Sequence, residues 1–187
     1  MYYDTIFKPT FTSSTAELIR KWCMGSLKQL MPHLKLPRKK GYHDYLNQYD
    51  FLLDWNDSRN NSHSIRIEVK TSRAVDFERP DEPLYVKALP SDSKRPFDMN
   101  FQQIKPKCAD VFLWIVVWRD KIIYWVLSRS EVKSNKYFSK GQHRGNVGEG
   151  QLHLNRDNIA EFKKYEVIST QIKDAIIQAY ERETKLT

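Results

Sequence analysis

The sequence predicts an α/β fold, with a central mixed β-sheet flanked by α-helices on both sides. Three observations carry this expectation. Amphipathic stripes lie near both ends of the chain, strand-like runs pair off in its middle, and one of those runs, VFLWIVVW at 111–118, is apolar throughout. A strand buried on both faces reads as a continuous apolar run, whereas a half-buried one alternates. With 187 residues, 40% of them hydrophobic, the chain suits one compact domain covering 1–187.

The elements follow in order. Residues 13–31 form a helix whose stripe is Leu18, Ile19, Trp22, Cys23, Leu27, Leu30 and Met31, with Ser14 and Glu17 as a capping box and Pro32 as its stop. A basic loop, 37–45, follows. QYDFLLDW and SIRIEVKTS are joined by the turn-forming cluster NDSRNNSH and make a β-hairpin. The segment 72–99 carries four prolines and is irregular, with a short strand at 84–89; FQQIKPKCA, 101–109, is a short helix or turn. The runs 111–118 and 121–128 pair as a second hairpin around Arg119 and Asp120. A short helix within 128–138, a polar Gly-rich loop at 139–155 and an amphipathic helix at 169–185 close the chain.

Composition narrows the partners. Lys and Arg number 31 against 23 Asp and Glu, a net charge of +8, which favours a polyanionic partner, nucleic acid ahead of an anionic membrane surface. The run 111–118 is too short to span a bilayer, and the N-terminus lacks the basic start and apolar centre of a secretory signal, so no membrane partner and a cytoplasmic location are expected. Cys23 and Cys108 make no disulfide framework and read as buried thiols; the five histidines show no zinc-site spacing. Trp114, Trp118 and Trp125 read as core.

Within IRIEVK, 65–70, Ile65, Ile67 and Val69 alternate with Arg66, Glu68 and Lys70, placing the three charges on one strand face. Asp50 and Asp54 share the corresponding face of the preceding strand. A turn centred near Asn60 sets Asp54 opposite Arg66, and Asp50 opposite Lys70 and diagonal to Glu68, within reach of one ion. Two carboxylates on adjacent strands repel unless a cation lies between them, and oxygen ligands suit Mg²⁺. Lys70 would then stabilise charge on a phosphate or orient an attacking water, as phosphodiester hydrolysis requires. A surface salt-bridge ladder accounts for the same charges and stays open beside this.

On these residues the chain resembles the PD-(D/E)xK nuclease superfamily, the restriction-endonuclease-like fold. The matching pieces are the first helix, the strand carrying Asp50, the strand ending Glu68-Val69-Lys70, and the strand after Asp110, together covering about 14–128. Tyr49 stands where the pattern has proline. The resemblance implies Asp50, Glu68 and the Val69 carbonyl as metal ligands, Lys70 as the catalytic lysine, and Mg²⁺ as cofactor with Mn²⁺ able to substitute. Some members add a glutamate from the first helix; Glu17 is the candidate, although it lies opposite the apolar stripe and already serves as a cap. No Walker A loop or helicase motif appears, so cleavage should need no ATP.

Residues 129–187 then supply DNA contact or dimerisation. Gln142, His143, Arg144 and Asn146, set among glycines, suit base edges in the major groove, and equally an ordinary surface loop. Arg38, Lys39 and Lys40 suit phosphate contact, and Arg73 either the scissile region or solvent. Gln102 and Gln103 suit a polar helix near the site, or a plain turn. The stripe Ile172, Ala175, Ile176, Ala179 and Tyr180 packs on the sheet by default, with a homodimer contact as the alternative. The expected function is a Mg²⁺-dependent endonuclease acting on double-stranded DNA, of the type II restriction kind and homodimeric. The alternatives are a structure-specific nuclease of the same fold (junction resolvase, repair or transposon type) and a DNA-binding module without chemistry.

Overall fold

The structure is a computed structural model and describes residues 34–35, 49–141 and 149–185. Mixed α/β architecture is built on two sheets. Strands β1 (Phe51–Asn56), β2 (Ser62–Arg73), β5 (Val111–Val117), β6 (Ile122–Ser128) and β9 (Glu166–Val167) form one, in the order β1-β2-β5-β6-β9. Strands β3 (Val75–Asp76), β4 (Phe97–Ile104), β7 (Phe138–Lys140) and β8 (Gly150–Leu154) form the other, ordered β3-β4-β8-β7. The first sheet is mixed as expected: β1/β2 and β5/β6 are antiparallel hairpins, while β2 and β5 run parallel. Every residue of β5 is buried, at the centre of its sheet.

The alternation in β1 and β2 sends Phe51, Leu53, Ile65, Ile67 and Val69 to one face. There the C-terminal helix (Ile172–Lys185; α3 below) lays Ile172, Ile176 and Ala179 into the same core. The stripe thus packs on the sheet, with Ile172, Ile176 and Ala179 fully buried and Ala175 and Tyr180 partly so.

The expected helix at 13–31 lies outside the described residues, and the second face of the first sheet is bounded by strands. Among the described residues it is covered by the second sheet and a 3-10 helix (Ile159–Tyr165), which contribute Phe97, Met99, Phe101, Leu152, Leu154 and Phe162 against Phe112, Trp114 and Leu127. The Trp114 ring stacks between Phe101 and Phe162, with centroids 5.0 and 5.9 Å away. Trp118 and Trp125 are likewise buried.

Two local expectations change. The 84–89 strand is a one-turn helix, α1 (Leu84–Lys87), after Pro83; its Leu84, Tyr85 and Val86 are exposed and so do not alternate between core and solvent. The 101–104 stretch is strand, since Phe97, Met99 and Phe101 continue a period of two; Gln102 and Gln103 occupy an irregularity where Gln103 takes φ 54°. Only Lys105 to Cys108 is a turn, closed by the Cys108 N–H donating to the Lys105 carbonyl at 3.0 Å. The short helix α2 (Arg129–Lys133) forms as expected, with Ser128 and Glu131 as a reciprocal capping box. No helix among the described residues is long and apolar enough to cross a membrane.

Truncating Ile176 to Ala should lower the unfolding free energy by about 2–5 kcal/mol. Denaturant titration checks this, and sedimentation should show the oligomeric state of the variant unchanged from wild type.

Candidate active site

The hairpin turn sets the register. Asp57 accepts the Asn61 backbone N–H at 2.8 Å, and Asn60 adopts a left-handed φ of 63°. The resulting pairing aligns Phe51 with Ile67 and Asp54 with Ser64, two residues away from the expected pairing. Asp54 therefore bonds Ser64 at 2.7 Å and Lys35, not Arg66. Lys35 holds the Asp54 carboxyl below the usual carboxylate range.

Asp50 stands just before β1, and this register brings it closer to Glu68 than the diagonal placement did. Its N–H donates to the Ile67 carbonyl at 2.9 Å, and its Oδ2 accepts the Val69 N–H at 2.8 Å. The residue thus brackets Glu68, bonding the backbone on either side of it. In a strand the N–H and C=O of one residue point to the same edge, so the Val69 carbonyl faces the edge where Asp50 sits.

Glu68 and Lys70 lie on the other face of β2 from Val69, beside Phe112 and Trp114 of β5. Their side chains pair at 2.7 Å and are 8% and 14% exposed. This overturns the surface-ladder alternative, because the charged face is not solvated but covered by the second sheet. Arg66, two residues earlier, has another partner: its Nη2 and Nε bond Asp110 at 2.7 and 3.0 Å, and its backbone N–H bonds the same carboxylate at 3.0 Å. Arg129 adds a further bond to Asp110 and one to the Ala109 carbonyl at 2.9 Å. The Asp110 carboxylate raises the Arg66 guanidinium above its ordinary value.

Cys108 sits in the corner formed by these groups. Its thiol is pushed up to about 12, first by burial and then by the negative charge of Glu68, with Asp50 acting the same way and Lys70 and Lys105 opposing. All four charged groups are therefore within electrostatic reach of one sulfur atom. The sequence reading saw Cys108 only as a buried thiol and passed over Lys105 and Glu149, whose side chains pair at 3.0 Å. The parallel β2–β5 register draws the segment just before Val111 to the level of Ile67.

Other expected residues fall elsewhere. Arg73 ends β2 with the parity of Ile67 and Val69, so the structure does not bring it to the Glu68–Lys70 face; burial pulls its guanidinium below the ordinary value. Glu17, Arg38, Lys39, Lys40, Gln142, His143, Arg144 and Asn146 lie outside the described residues. A cavity of about 280 Å³ is lined by Phe77, Pro96, Phe97, Asp98, Asn155, Arg156 and Asp157, none of which belongs to the carboxylate cluster.

Asp50, Glu68 and the Val69 carbonyl offer oxygen only, the donor type a hard cation takes. Among the described residues no group of three or more His, Cys, Asp or Glu side chains is arranged to hold a metal. Two carboxylates with a backbone carbonyl, completed by water and substrate oxygens, suit Mg²⁺, which keeps several waters.

The thiol shift has a sign. The folded state retains the Cys108 proton where the unfolded chain has lost it, so stability falls as pH rises from about 9 towards 12. Over that window wild type should lose about 1.4 kcal/mol per pH unit relative to Cys108→Ala. Urea unfolding of both proteins at pH 8 and 10.5 measures the difference.

No protein-family model, no curated protein and no solved structure matches the chain.

Proposed function

We propose that the protein is a Mg²⁺-dependent endonuclease of double-stranded DNA, of the restriction-endonuclease-like fold, with Asp50, Glu68 and Lys70 as its catalytic residues. The observation that carries the proposal is the bracketing of Glu68 by Asp50, 2.8 Å from the Val69 N–H, beside the Glu68–Lys70 pair at 2.7 Å. The β1/β2 hairpin followed by a parallel β5 supports it, as does the net charge of +8.

Mg²⁺, when bound, supplies a hard Lewis acid for a phosphate oxygen and for the attacking water. The chain's own residues prepare the rest. The Val69 N–H fixes the Asp50 carboxylate along the strand edge, and Lys70 fixes that of Glu68, so neither has to be ordered when substrate arrives. Lys70 has three N–H donors and uses one on Glu68. The others can meet a non-bridging phosphate oxygen or hold the attacking water. Phe112 and Trp114 lower the local dielectric, which strengthens each of these interactions. The finer assignment is a type II restriction enzyme acting as a homodimer, in which two sites cut the two strands of a palindromic duplex.

Incubation with unmethylated phage DNA and Mg²⁺ should give discrete fragments, and EDTA should abolish them. Glu68→Gln and Lys70→Ala should slow cleavage by about 100-fold or more while DNA binding persists. Equal cutting by wild type and both variants would remove the catalytic assignment.

Linear duplex should be cut in preference to a four-way junction of the same sequence. The reverse order in a gel assay would assign the protein to the structure-specific nucleases of this fold.

A further inference from the structure

Lys105 and Glu149 form a second closed ion pair beside the site. Lys105 directly follows β4, and Glu149 directly precedes β8; the two strands are joined there by the Ile104–Gly150 pairing. The Nζ–Oε1 distance is 3.0 Å, with Glu149 6% exposed and Lys105 19%. Glu149 is therefore the more enclosed member of the pair, and the Lys105 side chain the more exposed. From Lys105 the chain makes one turn to Cys108, and Asp110 then bonds Arg66 two residues before Glu68.

A buried ion pair is a poor stabilising device, because desolvation offsets most of the attraction. Its value lies in holding a charge in one place. Glu149 does this for Lys105 as Glu68 does for Lys70. Both lysines act electrostatically on the Cys108 thiol, and the Lys105 carbonyl accepts the Cys108 N–H at 3.0 Å.

We propose that Lys105, positioned by Glu149, is a second basic group of the candidate active site and contacts the phosphodiester backbone of bound duplex DNA next to the scissile phosphate. The inference rests on the nuclease reading above and adds to it a substrate-binding residue outside the motif.

The test compares wild type, Lys105→Arg and the double variant Lys105→Gln/Glu149→Gln. The double variant leaves no lone buried charge and does not alter net charge, so bulk electrostatics stay the same. Binding of a fluorescein-labelled random-sequence duplex is followed by anisotropy from 50 to 200 mM NaCl, with Ca²⁺ in place of Mg²⁺, and thermal unfolding is recorded alongside. The double variant should bind about tenfold more weakly, and its slope of log affinity against log salt should shrink by about one. Cleavage should show a raised KM with kcat within about twofold of wild type, as loss of uniform binding requires. Lys105→Arg should restore both slope and KM. Should the double variant fold and match wild type in affinity and slope, the inference is overturned while the nuclease reading stands. A wild-type protein that neither binds nor cuts duplex DNA would sink the nuclease reading, and this inference with it.

Discussion

Burying Glu68 beside Lys70 is the constraint around which the structure is arranged. Each charge loses its hydration in the enclosed space between the sheets, at a cost of several kcal/mol per ion. Their mutual contact at 2.7 Å offsets much of that cost, yet two apolar side chains of similar volume would hold the sheets together at least as well. Phe112 and Trp114, the cross-strand neighbours of Glu68 and Lys70, are the kind of residue such a position otherwise takes. Stability alone therefore does not explain the pair. Such a pair instead holds a carboxylate and an ammonium in a fixed relation, largely away from bulk water.

Asp110 supplies the rigidity that such a site requires. One carboxylate ties the Arg66 backbone and guanidinium on β2 to Arg129 at the start of α2, while the Asp110 N–H donates to the Arg66 carbonyl at 2.9 Å. The parallel β2–β5 junction is thus closed just where the Lys105–Cys108 turn enters it. The network extends to the far face of the sheet. Glu183 of α3 is nearly buried and accepts the Ser130 N–H at 2.7 Å, capping α2 from outside, while Arg182 bonds Glu131. Packing of the C-terminal helix and placement of the carboxylates are accordingly parts of one framework.

Much of the first sheet was legible because its signals are local. The two hairpins, the doubly buried β5 and the stripe of α3 all follow from periods of 2.0 and 3.6 in the sequence, and the capping box at Ser128 and Glu131 is a four-residue pattern. The second sheet was not legible. In β4 the alternation Phe97, Met99, Phe101 breaks at Gln102 and Gln103, and in β8 it is brief and follows a polar glycine-rich stretch. At the site, the shared face of Glu68 and Lys70 could be read, but not the register or the turn of the Asp50 carboxylate to the strand edge. The register depended on Asn60 taking a left-handed conformation, which moved every cross-strand pair by two. Partners distant in sequence, such as Asp110 for Arg66 and Glu149 for Lys105, carry no local signal at all.

The geometry also constrains how a large substrate could approach. A duplex cannot enter the space between the sheets, where Cys108, Phe101 and Trp114 are fully buried. Along the β1 edge of β2 the situation differs. The β1/β2 pairing stops at Phe51 and Ile67, while β2 continues through Glu68 to Arg73, so Asp50 takes over the Val69 N–H that a further strand residue would otherwise have used. A side chain replaces backbone there, and its carboxylate lies level with the Val69 carbonyl. Oxygen donors are thus divided between the edge, where Asp50 and the Val69 carbonyl lie, and the face, where Glu68 pairs with Lys70, and the lysines are more exposed than the glutamates they pair with.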